Sequence, residues 1–305
     1  MRTAEFDAFG PWVTQVVSAE GLPRLYADHV VDFDTARMVV KVPRNITRRD
    51  ASPDMHLYDH LLIAGQSELT VLSRREDEYT TTVVPYDRVA AVHTSVVMLD
   101  GLLRIYDAGG TGRSGVALDL PYNGVSDDVV GRLARIVRAE ALAAAGDRAV
   151  VTPEGAPLKL NLEDLGQHDV ALVTAGRELA RVEGLLTWAA HGRVPVQRRG
   201  GVLGVLGKLV FAPTLHAAVV GSTPGEVHVI HRRPWVTTGR KPVHSVAHTA
   251  ITVPRVERLE VTEHEAFTGT QLVRVVAGAA EVDLLVPTGA PTLDTLLTLL
   301  DARPE

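Results

Sequence analysis

The chain has 305 residues, which is long enough for two domains of ordinary size, each with its own hydrophobic core. Hydrophobic residues make up 46% and charged residues 22% of the sequence, as in ordinary folded chains, and the net charge is −6. No cysteine occurs, which excludes disulfides and thiolate metal sites and fits a reducing compartment.

The first residues do not predict a secretory leader. Residues 1–13 include Glu5 and Asp7 and lack a basic segment followed by an apolar one. The longest weakly polar run, Gly200–Gly221, is interrupted by Lys208, so it predicts buried strand and loop rather than a membrane-spanning helix. We expect a cytoplasmic protein without a transmembrane segment, for which peripheral membrane contact stays open.

Alternating apolar runs in the first half predict a series of strands. These are Arg24–Val31, Ala36–Val42, His60–Ala64, Glu68–Arg74, Tyr79–Pro85, Arg88–Leu99, Leu102–Tyr106 and Gly115–Leu120. Between two of them, Asp100-Gly101 is a signal for a two-residue hairpin turn. The glycine-rich stretch 109–115 superficially suggests a phosphate-binding loop. It lacks the Gly-Lys-Ser/Thr ending and lies between strands, so it predicts a hairpin loop.

A helix is predicted after these strands. Ser126 can cap its first turn, Asp127 and Asp128 suit the positive end of its dipole, and Gly146 can end it. Its apolar residues fall on one face, namely Val129, Val130, Leu133, Ile136, Val137 and Ala141. The following stretch, 147–169, contains proline and glycine and is predicted to be an interdomain linker.

The second half begins with an ambiguous stretch, Val170–Ala190, which fits either a helix or strands broken at Gly176 and Gly184. An amphipathic helix is predicted from Thr292, with an apolar stripe formed by Leu293, Leu296, Leu297 and Leu300. Between these two stretches, strands are predicted at His216–Val220, Glu226–His231, Ala250–Val261, Gln271–Val276 and Ala280–Val286.

The two halves contain the same module. Residues 68–75 (Glu-Leu-Thr-Val-Leu-Ser-Arg-Arg) match residues 226–233 (Glu-Val-His-Val-Ile-His-Arg-Arg). Val84–Val89 has a shortened counterpart in Val253–Val256, and each half ends with an apolar strand, a proline, a glycine turn and an amphipathic helix. A repeat near half the chain length predicts two equivalent domains.

A run of antiparallel strands closed by one C-terminal helix resembles the pleckstrin-homology-like (PH-like) superfold of bacterial proteins, over about residues 58–146 and 214–302. The resemblance rests on the repeated strand, Asp100-Gly101 and the Ser126 helix. It implies a mainly β (α+β) fold with two PH-like antiparallel β-sandwich or barrel modules. The modules would be residues 1–146 and 170–305, joined by the linker 147–169. Domains of this type more often bind than catalyse, although a fold alone does not establish function.

The second copy carries an inserted loop, residues 234–243, that the first copy lacks. Around it, residues 191–241 contain eight Lys or Arg against one Glu in an otherwise acidic chain. Arginine suits phosphate or carboxylate, and tryptophan can stack on a base or lie at a lipid headgroup. We therefore predict an anion-binding site formed by Arg232, Arg233, Trp235, Arg240 and Lys241. The alternative is a solvated loop that pairs with the acidic first half, with its tryptophan packed on the core.

Histidines are concentrated in the second half, but their pattern does not predict a metal site. His244 and His248 could share a metal only on a helix, and a strand or loop is predicted there. No catalytic constellation, cofactor or metal site is predicted. The sequence therefore favours a non-enzymatic binding or scaffold protein that engages an anionic ligand or a protein partner.

Two other functions stay open. The modules could pair with each other or form a homodimeric scaffold through exposed strand edges. Alternatively, an enzyme or small-molecule carrier would hold its ligand in a pocket between the domains, with His216, His228, His244 and Glu263 as the first residues to mutate. Nucleic-acid binding is disfavoured because the first half is acidic.

Overall fold

The computed structural model describes residues 3–146, 157–199, 212–238 and 244–301. Its helices are α1 (Ala4–Ala8), α2 (Asp127–Ala145), α3 (Leu162–Leu165), α4 (Val170–Glu183) and α5 (Pro291–Asp301). Within these ranges, none of the helices combines the length and the apolar character that crossing a membrane requires.

The strands make the chain β-rich. Those of the first half are β1 (Thr14–Gln15), β2 (Met38–Pro43), β3 (Tyr58–Ala64), β4 (Glu68–Arg75), β5 (Glu78–Pro85), β6 (Val89–Val97), β7 (Asp100–Asp107) and β8 (Val116–Asn123). Those of the second half are β9 (Leu186–His191), β10 (Val194–Pro195), β11 (Gln197–Arg198), β12 (Pro213–Leu215), β13 (Ala218–Thr223), β14 (Glu226–His231), β15 (Val236–Thr238), β16 (Ser245–Thr252), β17 (Arg258–Glu263), β18 (Phe267–Thr268), β19 (Thr270–Ala277) and β20 (Ala280–Pro287).

The strands form several antiparallel sheets. One is a five-stranded meander, β1-β2-β3-β4-β5, and another is the three-stranded sheet β17-β19-β20. The largest has seven strands in the order β8-β7-β6-β16-β14-β13-β9. Two small sheets are also present, the three-stranded β10-β12-β15 and the two-stranded β11-β18. None of the sheets formed by the described residues closes on itself.

The seven-stranded sheet joins the two halves of the chain. Strand β6 of the first half pairs with β16 of the second, from Ala91 opposite Ile251 to Val97 opposite Ser245. The halves therefore share one hydrogen-bonded ladder in addition to their covalent connection. Such a junction is invisible to local sequence patterns, because its partners are far apart in the chain.

Strand β14 is buried on both faces. Val229 packs into a core formed with β17, β19, β20 and α5, whereas Ile230 packs on the opposite face against the segment 158–185. That segment contains α4, so the ambiguous stretch is a helix followed by strand β9. Gly184 ends the helix in the left-handed conformation, with φ of 70°.

The linker prediction applies only in part. Leu158, Leu160 and Leu165 are buried in the core beneath α4, and α3 lies among them, so residues 157–169 belong to the folded second half. Residues 147–156 lie outside the described part of the chain.

Two other sequence predictions need correction. Arg24–Val31 is not a strand. A single 3-10 turn lies there, at Arg24–Tyr26, because Tyr26 turns into the core and donates a hydrogen bond to the Asp59 carbonyl at 2.8 Å. The predicted helix α2 forms and ends at Gly146, but the Ser126 hydroxyl accepts from the backbone N–H of Val13, at 2.9 Å, instead of capping the helix.

The hairpin between β6 and β7 turns two residues earlier than predicted. Val97 pairs with Asp100, so Met98 and Leu99 form the turn and Met98 takes the positive φ of 56°. Gly101 lies inside β7, where a Cβ atom would stand 2.3 Å from the ring of Tyr122. Glycine is therefore needed at position 101 because the Tyr122 ring packs directly on the backbone there, and not because of the turn.

A buried ionic cluster fastens the halves on the other face of the sheet. Arg138 of α2 donates to Glu226 of β14 at 2.7 and 2.9 Å and to Glu183 of α4 at 3.1 and 3.2 Å. All three side chains are mostly buried. The cluster and the β6–β16 ladder together fix how the halves pack.

Candidate ligand-binding cleft

A row of polar side chains crosses the junction between the halves on one face of the seven-stranded sheet. Asp119 of β8, Arg104 of β7, His93 of β6 and Thr249 of β16 are register neighbours. Two residues before His93 on the same face, Ala91 is packed into the core of the second half. The polar row therefore begins where that core ends.

A cleft with a volume of about 780 Å³ lies over this row. This volume is within the range of sites for small molecules. Both halves form its walls, through the loop between β7 and β8, the segment after β14 and the start of β20. The side chains that line it include His93, Arg104, Arg113, Ser114, His231, Arg233, Trp235 and Thr249, together with three acidic residues, Asp119, Glu281 and Asp283. These carboxylates are paired, Asp119 with Arg104, and Glu281 and Asp283 with Arg274.

Aromatic rings form one side of the cleft. The rings of Trp235 and His231 are stacked, with centroids 3.8 Å apart and planes inclined by 4°. The ring of His93 follows, 5.8 Å from that of His231. Because His231 covers one face of Trp235, a flat ligand would stack on the other face of the indole ring.

Hydrogen bonds determine which ring nitrogens carry protons. Nδ1 of His231 lies 2.8 Å from the Arg232 carbonyl oxygen, which can only accept, so this nitrogen is the donor. Burial lowers the pKa of His231 to about 4, so the ring is neutral at pH 7. Its Nε2 therefore accepts from the Thr249 hydroxyl at 3.4 Å. Thr249 in turn accepts from Nδ1 of His93 at 2.9 Å.

His93 consequently offers a hydrogen-bond acceptor to the cleft. Burial, with smaller contributions from His231, Arg104 and Arg233, lowers its pKa to about 3, so the ring is neutral at pH 7. With its proton on Nδ1, the Nε2 atom accepts, and no residue in the described ranges donates to it. A ligand with an N–H or O–H group would complement it.

The cleft also contains two arginines without a carboxylate partner in the described chain. Arg113 is exposed and makes no ion pair there, and Arg233 makes only a 3.3 Å hydrogen bond to the Asp100 carbonyl. Arg104 is different, because Asp119 binds its guanidinium through two 3.0 Å hydrogen bonds. Arg113 and Arg233 are therefore the cations available to an anionic ligand.

The five residues of the predicted anion site separate in the structure. Arg233 and Trp235 line the cleft. Arg240 and Lys241 fall outside the described residues. Arg232 is only 2% exposed, and its guanidinium donates to Asp169 at 2.8 and 3.1 Å and to the Ser245 carbonyl at 2.6 Å.

Arg232 is therefore part of the core and is not available to a ligand, which corrects its assignment to the predicted anion-binding site. Asp169 is fully buried between Arg232 and Arg193, both of which hydrogen-bond to its carboxylate. Burial alone would raise the pKa of Asp169, but the two arginines hold it below its usual range. The basic dipeptide 232–233 thus divides into one structural arginine and one that faces the cleft.

The residues expected in a histidine pocket between the domains do not line the cleft. His228 lies on the other face of the sheet, buried, with Nδ1 3.0 Å from Nε2 of His248. His216 is buried beside Thr237, His244 is exposed, and Glu263 pairs with Arg199 at the surface. In the ranges that the structure describes, no group of three or more His, Asp or Glu could hold a metal ion.

Sequence reasoning placed the site in one loop and missed the first half's contribution. His93, Arg104 and Arg113 come from β6, β7 and the loop after β7, and they meet Trp235 only because β6 pairs with β16. The one local signal was the glycine-rich stretch 109–115, interpreted as a simple hairpin loop. It contains Arg113 and also brings Gly115, with φ of 68°, against the backbone of Ala280.

No protein-family model matches this sequence, and no curated protein sequence matches it.

Proposed function

We propose that this protein binds a small, flat, anionic molecule, without catalysis, in the cleft between its two halves. The observation that carries the proposal is the position of Arg113 and Arg233 beside the stacked Trp235 and His231 in one cleft of about 780 Å³. Arginine guanidinium groups bind carboxylate, sulfonate or phosphate by charge-assisted hydrogen bonds, and the rings offer a stacking surface.

The cleft chemistry narrows the class of ligand. The anionic group would face Arg113 and Arg233, the flat part would stack on Trp235, and an N–H or O–H group would donate to Nε2 of His93. An aromatic or heteroaromatic acid meets all three requirements. A purely apolar ligand meets only one, and it would leave the arginines without a partner.

We also propose that each half is a PH-like module, as the sequence resemblance implies. The first half has four consecutive strands of the five-stranded sheet, β2 to β5, then three strands of the seven-stranded sheet, β6 to β8, and then helix α2. Strands β9, β13, β14 and β16, then β17, β19 and β20, then α5 repeat that order in the second half. This correspondence supports the proposal of a binding role.

The test compares two probes that differ only in charge. We expect 8-anilinonaphthalene-1-sulfonate to bind in a single site and to quench Trp235 in a variant that lacks the other two tryptophans, Trp12 and Trp188. N-phenyl-1-naphthylamine, which has the same rings without the sulfonate, should bind far more weakly. The Arg233→Gln variant should lose affinity for the sulfonate by about 10- to 100-fold, because a hydrogen bond to a charged group contributes roughly 1.5–3 kcal/mol.

The matched control is Arg258→Gln, which removes an exposed arginine paired with Glu260 on β17, away from the cleft. It should leave the affinity unchanged, and both variants should keep the near-ultraviolet circular dichroism of the parent. Equal binding of the two probes, or equal affinity in the Arg233→Gln variant, would contradict the proposal.

A further inference from the structure

The repeat gives the strands of the first half counterparts in the second. In β4 and β5, Glu68 pairs with Pro85, and in β14 and β16, Glu226 pairs with Thr252. A single 3-10 turn then leads to β6 in the first half and to β17 in the second. Strand β5 is therefore equivalent to β16, and β6 is equivalent to β17.

Among the described residues, only one of the two possible junctions between these edges is made. Strand β6 pairs with β16, which is the ladder that joins the halves. The equivalent edges, on β17 and β5, are the last strands of their sheets, and no strand in the described ranges pairs with either outer edge. In the described part of the chain, β5 and β17 therefore each keep an unpaired edge.

Between Glu78 at its start and Pro85 at its end, β5 lacks the usual protection of an unpaired edge. Residues 79–84 read Tyr-Thr-Thr-Thr-Val-Val, with no charge and no proline. Thr80, Thr81 and Thr82 are exposed, and Val83 is 42% exposed. Edges that must stay single usually carry lysine, proline or a bulge, because exposed strand edges otherwise pair with other chains.

We propose that copies of this chain associate head to tail, with β17 of one copy pairing with β5 of the next in the geometry of the internal β6–β16 junction. The interface joins two different surfaces, so an open assembly keeps a free β5 at one end and a free β17 at the other. Such contacts extend into an array or close into a ring.

The register of the internal junction, transferred to the free edges, makes a small apolar cluster. It places Leu259 opposite Val83 and Val261 opposite Thr81, all on one face. Val261 is 41% exposed in the isolated chain, much like Val83 at 42%. Cross-strand pairs of β-branched and apolar residues stabilise antiparallel sheets.

In the same register, the charged side chains of β17 and β5 do not repel one another. His264, just after β17, falls opposite Glu78, and no like charges face each other. The charged side chains of β17 meet uncharged partners, with Arg258 opposite Val84, Glu260 opposite Thr82 and Glu263 opposite Tyr79.

Next to the unpaired edge of β5 lies Glu68, which has no arginine partner among the described residues. At the internal junction, Glu226 is buried under Arg138, which arrives from the helix of the other half. The equivalent residue of the first half, Glu68, is half-buried and makes no ion pair with any residue in the described ranges. The closing helix that the next copy would bring to this place is α5, and it has no basic residue within Pro291–Asp301, so Glu68 would gain no counterpart of Arg138 there.

The test uses sedimentation velocity with one blocking lysine on each edge. The parent protein should associate as its concentration rises, whereas Val83→Lys and Val261→Lys should each stay monomeric. A mixture of the two variants should form dimers and nothing larger, because each variant retains the edge that the other has lost. Both valines are exposed, so thermal unfolding should confirm that the variants fold.

The control is Val30→Lys, at a 91% exposed valine outside both strands, which should associate like the parent. A parent protein that is monomeric at every concentration would overturn the proposal. So would a mixture that stays monomeric. Dimers formed by Val261→Lys alone would show two-fold pairing through β5 and would also overturn it.

Discussion

Acidification from pH 7 to about pH 5 is expected to lower the free energy of unfolding of this protein by several kcal/mol, because its structure buries neutral histidines that the unfolded chain would protonate. Burial lowers the pKa of His93 to about 3 and the pKa values of His191, His216 and His231 to about 4. In the unfolded chain, histidine has a pKa near 6.5.

The direction of the pH effect on the free energy of unfolding follows from proton binding in the folded and unfolded states. Above pH 6.5 neither state is protonated at these residues, so they do not affect the free energy of unfolding. Below it, the unfolded state binds protons that the folded state cannot bind until about pH 4. Each histidine then lowers the free energy of unfolding by about 1.4 kcal/mol per pH unit. At pH 5 the four histidines together remove roughly 8 kcal/mol, and typical domains have only 5–15 kcal/mol.

The measurement is urea unfolding followed by circular dichroism at a series of pH values. The variant His93→Gln should reduce the pH dependence by one proton, whereas His244→Gln, at an exposed site, should leave it unchanged. A free energy of unfolding that stays constant between pH 6.5 and pH 5 would contradict the expectation.

The second large effect is expected from Asp169→Ala, which should destabilise the fold by about 3–5 kcal/mol. Asp169 is fully buried and accepts hydrogen bonds from Arg232, which is 2% exposed. Removing the carboxylate leaves the guanidinium of Arg232 buried without a counter-charge, and an uncompensated buried charge costs far more than the lost contact.

A matched control separates this effect from the loss of any ion pair. Glu178 and Arg181 form an exposed pair on helix α4, so Glu178→Ala should change the free energy of unfolding by less than about 1 kcal/mol. Adding Arg232→Met to Asp169→Ala should restore part of the stability. If the double variant is instead less stable than the single one, the uncompensated charge is not the cause.

Local patterns in the sequence predicted most strands and both long closing helices, because alternation and helical spacing depend only on near neighbours. They misplaced features that depend on what covers a strand. The segment 226–231 resembles 68–73, yet every residue of β14 is buried, since α4 covers the face that looked free. The sequence could not distinguish Arg232 from Arg233 for the same reason, as only the burial of Asp169 separates them.

The cleft was the least predictable feature. Its residues belong to strands that are paired across the middle of the chain, and neither Asp100-Gly101 nor the glycine-rich stretch contains information about that pairing. The sequence suggested a pocket between the two modules only in general terms. The histidines proposed for it were His216, His228 and His244, whereas the cleft contains His93 and His231.

The continuous sheet has a consequence for how the cleft would bind. His93 and Thr249 lie on adjacent, hydrogen-bonded strands. The two halves therefore cannot close around a ligand by a hinge motion. The binding surface is preorganised, and little conformational entropy is lost when it is occupied. We therefore expect association without a slow conformational step, and selectivity set by the fixed positions of His93, Thr249 and the stacked rings.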